Sequence, residues 1–236
     1  MTPDRARALC ELAARLGHDF RDLALLDQAL THTSWSHERE RHEPHNEPLE
    51  FLGDAVLSLV TADLLHRRDP QGREGSKSFQ RAALISSLSL APRAAELGLP
   101  ALLRLGRGEE KTGGRKKQAL WADALEAVLA ALYLDGGLEA AARLVARLFA
   151  ADLAPGGLTE VRDQKSALQE WLQARGRPLP EYEVLAEEGA AHQRSFRVAC
   201  RVEGTLLAAG EGSSKKAAQQ QAARLALAAL QQGQPG

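Results

Sequence analysis

The sequence predicts an all-α N-terminal domain followed by a small α+β domain with the element order α-β-β-β-α. Apolar residues recur at helical spacing through about the first 150 positions, whereas they alternate with polar residues in two stretches after position 180. A Pro-Gly-Gly break at 155–157 separates the two patterns. We therefore expect one domain over 1–153, a linker over 154–161 and a second domain over 162–232.

The first domain is predicted to consist of helices joined by polar loops. Thr2 and Pro3 offer an N-cap and a first-turn proline, and leucines then repeat at helical spacing until Gly17. A His-rich segment at 35–46 and a Gly- and Lys-rich segment at 106–117 are predicted to be loops. The remaining helices are expected at 22–30, 49–65, 76–97, 118–134 and 137–151.

The second domain is predicted to hold one helix, three strands and a closing helix. Helical spacing covers 163–175, and the two alternating stretches that follow are typical of half-buried strands. Gly204 would turn the chain into a third strand at 205–209. Ser213 or Ser214 would then cap a last, Ala-rich helix.

Composition sets limits on the type of protein. The 236 residues carry a formal net charge of −1, but the part from 156 onward has ten Lys/Arg against nine Asp/Glu, and the part before it has twenty against twenty-two. Cys10 and Cys200 lie too far apart in sequence to indicate a disulfide framework or a zinc site. Neither a signal pattern nor an apolar run of 18 residues is found. We expect a cytoplasmic protein with no membrane partner.

Two sets of carboxylates lie in apolar helical sequence. At 100° per residue, Glu47, Glu50 and Asp54 fall within roughly 60° of one another on one helix. Asp123 and Glu126 repeat this pattern in a stretch without any Lys or Arg. Such carboxylates repel one another and lose hydration, so they need a compensating charge, and oxygen ligands suit Mg²⁺. The alternative is a set of ordinary surface acids on Ala-rich helices.

Four segments carry a resemblance to a known family. The segment 46–57, N-E-P-L-E-F-L-G-D-A-V-L, resembles the ribonuclease III signature N-E-x-L-E-F-L-G-D-x-x-L at every fixed position. Segment 29–34 resembles the preceding A-L-T-H-x-S motif, 123–127 resembles the second acidic helix, and 108–114 resembles the Gly-rich loop. The resemblance extends over nearly the whole chain.

The resemblance implies a role for each acid. It implies metal ligation by Glu50, Asp123 and Glu126, with Asp54 and Glu126 as catalytic residues. Glu47 and Glu74 match two further acids near the scissile region. The cofactor would be Mg²⁺, with Mn²⁺ able to substitute. For Glu74 the alternative is a loop carboxylate that precedes a helix.

The resemblance further implies an endoribonuclease that hydrolyses double-stranded RNA and acts on no small molecule. Two metals about 4 Å apart would activate water and stabilise the leaving oxygen. A homodimer would cut both strands, leaving 5′-phosphate and 3′-hydroxyl ends with two-nucleotide 3′ overhangs, in ribosomal RNA precursors and some mRNAs. Phe51 matches a residue that family members insert into the partner subunit; the alternative is a core phenylalanine.

The histidines of the first domain admit two interpretations. His32 matches the family motif, but a packed or hydrogen-bonded ring is favoured over a catalytic one. His37, His42 and His45 resemble a metal-binding set by composition. Their spacing is typical of a loop, so a solvated loop is favoured.

The end of the chain is predicted to bind RNA. Lys215 and Lys216 stand at a helix N-terminus, where they would oppose the helix dipole, so a phosphate partner explains them better than a solvated helix start. Segment 210–223 resembles the last helix of double-stranded RNA-binding domains, which read A-form shape with little base specificity. Segment 189–192 resembles their G-P-x-H loop, with alanine in place of proline. The resemblance implies RNA contacts by Ser166, Gln169, Glu170, His192, Lys215 and Lys216.

Two functions of other classes remain as alternatives. One is an RNA-binding protein whose nuclease domain is degenerate, and the intact acids Glu50, Asp54, Asp123 and Glu126 argue against it. The other is a purely structural helical protein, and the C-terminal module argues against that.

Overall fold

The computed structural model describes residues 1–38, 44–154, 164–188 and 194–232. It divides into two compact units, Met1–Thr159 and Glu160–Gly236, and each unit has its own hydrophobic core. The first unit is helical and the second has the order α-β-β-β-α, which confirms the predicted fold class. Among the described residues, no helix has the length and hydropathy of a membrane span.

Ten α-helices and one 3-10 helix, Gly114–Lys116, are described in the first unit, and the two longest have boundaries close to those expected from the sequence. The α-helices are α1 Pro3–Leu16, α2 Leu23–Ala29, α3 Thr33–His37, α4 Glu47–Arg68, α5 Glu74–Leu84, α6 Ser87–Glu96, α7 Leu99–Leu102, α8 Arg107–Lys111, α9 Gln118–Leu148 and α10 Ala150–Leu153.

The ends of α1 and the break in α9 follow from local sequence. The Thr2 side chain accepts a hydrogen bond from the Arg5 N–H, and Gly17 ends the helix in the left-handed conformation with φ 73°. Gly137, with φ 74° and ψ 179°, interrupts α9 where the sequence predicts one helix to end and another to begin.

Three expectations for the first unit were wrong in detail. The single helix predicted over 76–97 is divided between α5 and α6, because Ser86 is extended (φ −68°, ψ 148°) and its hydroxyl donates to the Ala83 carbonyl. The predicted loop at 35–46 overlaps the short helix α3, and the predicted loop at 106–117 contains α8. Both are five-residue turns, too short to give a periodic pattern.

The pair α4 and α9 forms the centre of the first unit. Gly53 of α4 is buried where a Cβ atom would lie only 1.8 Å from the carbonyl oxygen of Glu126 on α9. The two backbones therefore touch at this point, and no larger residue fits without separating them. This crossing brings the acids of α4 beside those of α9.

The second unit is a three-stranded antiparallel sheet with two helices. Strand order is β1-β2-β3, and the core joins leucines of α11 to the buried face of β2 and to alanines of α12. The elements are α11 Gln164–Gln173, β1 Glu181–Glu188, β2 Ser195–Val202, β3 Thr205–Gly212 and α12 Lys215–Gln232. The third strand is three residues longer than predicted.

Local features of the sequence explain the β2–β3 turn and the packing of α12 in the second unit. Glu203 and Gly204 both have positive φ, 53° and 75°, as a tight hairpin turn between β2 and β3 requires. Gly210 of β3 lies so close to α12 that a Cβ atom there would meet the Ala222 nitrogen at 2.3 Å. Ser214 caps α12 by accepting from the Ala217 N–H, so of the two predicted caps it is Ser214 that acts.

Candidate active site

A cleft of about 560 Å³ opens where α4 crosses α9. It is lined mainly by acidic side chains, and no Lys or Arg lies on its walls among the described residues. The lining residues are His32, Asn46, Glu47, Glu50, Phe51, Asp54, Asp123 and Glu126. Five of the six acids singled out in the sequence thus meet in one place.

Three of these acids form a group that could hold a metal ion. Glu50, Asp123 and Glu126 each place a carboxylate oxygen within 4.8 Å of the other two, and all three are half-buried. Glu47, the first residue of α4, and Asp54 line the same cleft but are exposed. The described residues offer no other group of three or more metal-ligating side chains.

Burial and mutual repulsion perturb these carboxylates. Desolvation, and then the charges of Asp54, Asp123 and Glu50, raise the pKa of Glu126 to about 8. Desolvation also raises the pKa of Glu50, with further contributions from Asp123, Glu47 and Asp54. Without a cation, Glu126 would therefore hold a proton near neutral pH.

The pKa of Asp123 is likewise raised by desolvation, and the nearby His32 only partly opposes this. Since no Lys or Arg of the described chain lines the cleft, its negative charge is unbalanced. Oxygen donors at this spacing fit a hard divalent cation such as Mg²⁺. Cation binding would return the acids to their charged form.

His32 is held at the edge of the cleft by a short hydrogen-bond chain. Its Nδ1 lies 2.8 Å from the Ser34 hydroxyl and 3.2 Å from the Ser34 N–H, and the same hydroxyl accepts from the Gly106 N–H at 2.9 Å. The hydrogen-bonded interpretation of this histidine thus agrees with the structure. The ring nevertheless also lines the cleft.

Glu74 does not join the other acids. It is exposed at the first position of α5, so it is a helical residue and not the loop carboxylate considered as an alternative. It lines a separate cleft of about 280 Å³ beside His66, Lys77 and Arg81. The sequence could not reveal this, because no periodicity relates the end of α4 to the start of α5.

Phe51 is not a core residue. Its side chain is 83% exposed at the mouth of the cleft, which rules out the core alternative and leaves a large apolar surface in contact with water. Leu88 on α6 is 81% exposed and Leu59 on α4 is 57% exposed. The apolar character of the α4 sequence therefore does not imply burial at Phe51 and Leu59.

The predicted RNA-binding residues of the second unit lie on its two helices. Ser166 and Glu170 are half-buried on α11, and Gln169 is exposed. Lys215 and Lys216 are exposed as the first two residues of α12, and the Lys215 Nζ lies 3.7 Å from a Glu187 carboxylate oxygen. His192 and the loop 189–192 lie outside the described residues, as does 155–161 of the predicted linker.

One feature of the cleft was not anticipated. Asn46 is 2% exposed in the cleft wall, and its Oδ1 has no hydrogen-bond partner among the described residues. Its only sequence signal is its place as the first letter of the acidic motif. His37 and His45 belong to no metal-ligating group of the described chain, and His42 lies outside it.

Comparison with protein families gives two matches. A model described as ribonuclease-III-like matches residues 22–153, and a model of the double-stranded RNA binding motif matches residues 164–230. Among curated proteins, Ribonuclease 3 of Bdellovibrio bacteriovorus is 45% identical over 92% of this chain and 93% of its own length. Ribonuclease 3 of Symbiobacterium thermophilum is 49% identical over 94% and 93%.

Solved structures agree for the first unit. The nuclease domain of ribonuclease III from Campylobacter jejuni is 38% identical, with a TM-score of 0.55 over 61% of this chain and 95% of that one. A second structure of that domain, which concerns flexibility in a region involved in dimer formation, is 39% identical. Its TM-score is 0.54 over 58% of this chain and 92% of that one.

Proposed function

Because the chain belongs to the ribonuclease III family of double-stranded RNA endonucleases, we propose that it cuts by metal-assisted hydrolysis. The products would carry 5′-phosphate and 3′-hydroxyl ends with two-nucleotide 3′ overhangs. The main support for this proposal is the group of three acids Glu50, Asp123 and Glu126. No Lys or Arg among the described residues of the cleft offsets their negative charge. Ribosomal RNA precursors and some mRNAs in the cytoplasm are the proposed substrates.

The acids of the cleft are proposed to have two roles: some would bind the metal ion, and some would lie beside the reacting atoms. Glu50, Asp123 and Glu126 would hold Mg²⁺, or Mn²⁺ in its place, and the bound ion would supply an activated water and charge stabilisation of the leaving oxygen. Glu126 and Asp54 are proposed as catalytic residues. The exposed carboxylate of Asp54 can accept hydrogen bonds from water that enters the cleft.

Glu47 and Glu74 are proposed to contact RNA near the scissile bond from different positions. Glu47 stands in the wall of the cleft at the start of α4. Glu74 stands in the neighbouring cleft of α5, among the basic side chains of Lys77 and Arg81. It would therefore reach the substrate from outside the metal group.

We propose that two copies of the chain act together. Phe51 is exposed beside the acids, as expected for a side chain that inserts into a partner subunit. A symmetric dimer would place two acidic clefts on one duplex, and each would cut one strand. The two-nucleotide overhang follows from the offset between the two cuts.

The second domain is proposed to hold the duplex by its A-form shape. The first two residues of α12 and the exposed face of α11 would contact phosphate and 2′-hydroxyl groups through Ser166, Gln169, Glu170, Lys215 and Lys216, joined by His192. The proposed boundaries are 1–153 for the nuclease domain, 154–161 for the linker and 162–232 for the RNA-binding domain. The two matched ranges, 22–153 and 164–230, support them.

The test is cleavage of a long RNA duplex by the full chain. We expect cleavage in Mg²⁺ or Mn²⁺ and none in EDTA. The product ends should accept ligation without phosphatase or kinase treatment, and sequencing should show two-nucleotide 3′ overhangs. Cleavage that persists in EDTA, or blunt products, would contradict the proposed mechanism.

A further inference from the structure

The hydrogen bonds of His32 and Ser34 orient the imidazole ring at the edge of the acidic cleft. We propose that His32 donates a hydrogen bond from Nε2 to a non-bridging oxygen of the scissile phosphate, and that Ser34 is the positioning residue that holds the ring for this contact. The inference rests on the proposed cleavage chemistry, and it adds a hydrogen-bond donor to a site otherwise described by its acids.

The contacts of Nδ1 determine where the ring carries its proton. The Ser34 backbone N–H can only donate, so Nδ1 must present its lone pair at 3.2 Å. The Ser34 hydroxyl, 2.8 Å from Nδ1, accepts from the Gly106 N–H and is therefore free to donate its own proton to the same lone pair. The neutral ring is thus the tautomer with its hydrogen on Nε2.

The Nε2–H group is the remaining polar group of the ring. It has no hydrogen-bond partner among the described residues, whereas the ring itself lines the cleft with Glu50 and Asp123. A protonated Nε2 cannot ligate a metal, because it has no lone pair to offer. It can, however, donate to an anionic oxygen.

The cleft needs such a donor. A phosphate that enters meets Glu47, Asp54 and the metal-binding acids, and no Lys or Arg of the described chain stands on the walls. A bound cation would offset the acids near the metal. A ring N–H adds a directed hydrogen bond to a phosphate oxygen, which a carboxylate cannot donate.

Backbone contacts support the ring, as a preorganised donor requires. The His32 N–H donates to the Arg104 carbonyl at 3.0 Å. Gly106 packs so tightly that a Cβ atom there would lie 2.5 Å from the Ser34 carbonyl oxygen. Backbone contacts thus hold both the histidine and the serine that orients it.

The test separates this donor from the helix cap that Nδ1 also provides. In His32→Asn the amide oxygen can replace Nδ1 as acceptor of the Ser34 N–H, while the Nε2 donor is removed. In His32→Gln the cap is removed, but an amide N–H can reach the former position of Nε2. His37→Asn, at the exposed end of α3, is the matched control.

Three measurements on the full-length protein decide the matter: the thermal melt, duplex affinity in Ca²⁺, and single-turnover cleavage across a Mg²⁺ titration. We expect His32→Asn to keep the melt and affinity of the wild type and to lose at least about tenfold in rate at saturating Mg²⁺. Its half-saturating Mg²⁺ concentration should not change. His37→Asn should match the wild type throughout.

Two results would overturn the proposal while leaving metal-assisted cleavage intact. The first is a His32→Asn rate within about threefold of the wild type, which would make His32 a helix cap only. The second is a rate that excess Mg²⁺ restores, which would make His32 a metal ligand. If His32→Asn fails to fold, His32→Gln replaces it, and a rate no higher than that of His32→Ala would equally refute the donor.

Discussion

The acidic cleft and the start of α12 are both proposed to meet the same polyanion, yet they differ in charge and in exposure. The cleft gathers half-buried carboxylates with raised pKa values, and the proposed mechanism places a cation between them and the RNA. The lysines of α12 are exposed and can contact phosphate directly. Exposed charges are screened by salt, whereas a desolvated metal site is screened much less. Binding and cleavage should therefore respond to different perturbations.

The largest effect should come from Glu126→Gln. The amide keeps the shape of the side chain but is a poorer ligand, so we expect cleavage to fall by about 10²-fold or more while binding persists. Gel-shift affinity in Ca²⁺ and single-turnover cleavage in Mg²⁺ measure the two effects. The matched control is Glu139→Gln on the same helix, where the side chain is 88% exposed. A Glu126→Gln rate within about threefold of the wild type would remove Glu126 from the metal site.

The opposite pattern is expected for Lys215→Ala with Lys216→Ala. Duplex affinity should fall, and the slope of log affinity against log salt should become shallower by roughly one unit for each phosphate that the protein no longer neutralises. Sequence preference should not change, nor should the cleavage rate at saturating enzyme. Arg224→Ala, further along α12, is the control. An unchanged salt slope would identify the two lysines as a solvated helix start.

Removing the second domain should reduce the affinity for duplex RNA more than it reduces the rate of the cleavage step. A fragment of residues 1–155 retains every acid of the cleft and the exposed Phe51, so we expect it to form the proposed dimer and to cut duplex RNA weakly at low salt. Sedimentation, and cleavage measured over a salt range of about 20 to 200 mM, would test this. A monomeric fragment that is inert at every metal concentration would contradict the proposed boundary or the proposed dimer.

The smallest effect concerns stability and pH. The pKa of Glu126 is about 8 in the folded chain and near 4.5 when unfolded, so the folded state binds the extra proton between these values. Stability of the metal-free protein should therefore fall as pH rises through this window. The metal-free Glu126→Gln variant should have a melting temperature at least about 2 °C above that of the wild type at pH 9. At pH 4 the two melting temperatures should be the same.

Mg²⁺ should reverse this difference, because it stabilises only the chain that binds it. Melting curves at both pH values, with EDTA or Mg²⁺, are the measurement. If the metal-free variant shows no advantage at pH 9, the raised pKa does not describe the protein in solution.

Local features of this fold could be read from the sequence, and long-range ones could not. The acids of α4 and α9 stand at helical spacing, so both helices were predictable. That these two helices meet was expected only because the family resemblance implies that their acids share a metal ion. The buried Asp135 was not, because it accepts hydrogen bonds from the N–H groups of Arg21 and Asp22, more than a hundred residues away. The hydrogen bonds that join His32 through Ser34 to Gly106 could not be predicted from the sequence for the same reason.

The backbone contact at Gly53 sets the distance between the two helices that carry the acids of the cleft. Where helices are spaced by side chains, rotamer changes can absorb a small shift, but here a glycine faces the carbonyl of Glu126 with no side chain between them. The distance from the α4 carboxylates to those of α9 is thus set by main-chain atoms. Gly53→Ala would separate the helices and widen the cage, a change that small ions such as Mg²⁺ tolerate less than the larger, more flexibly coordinated Ca²⁺. If the cleft binds a cation as proposed, the absence of a side chain at Gly53 would thereby help to determine which cation it accepts.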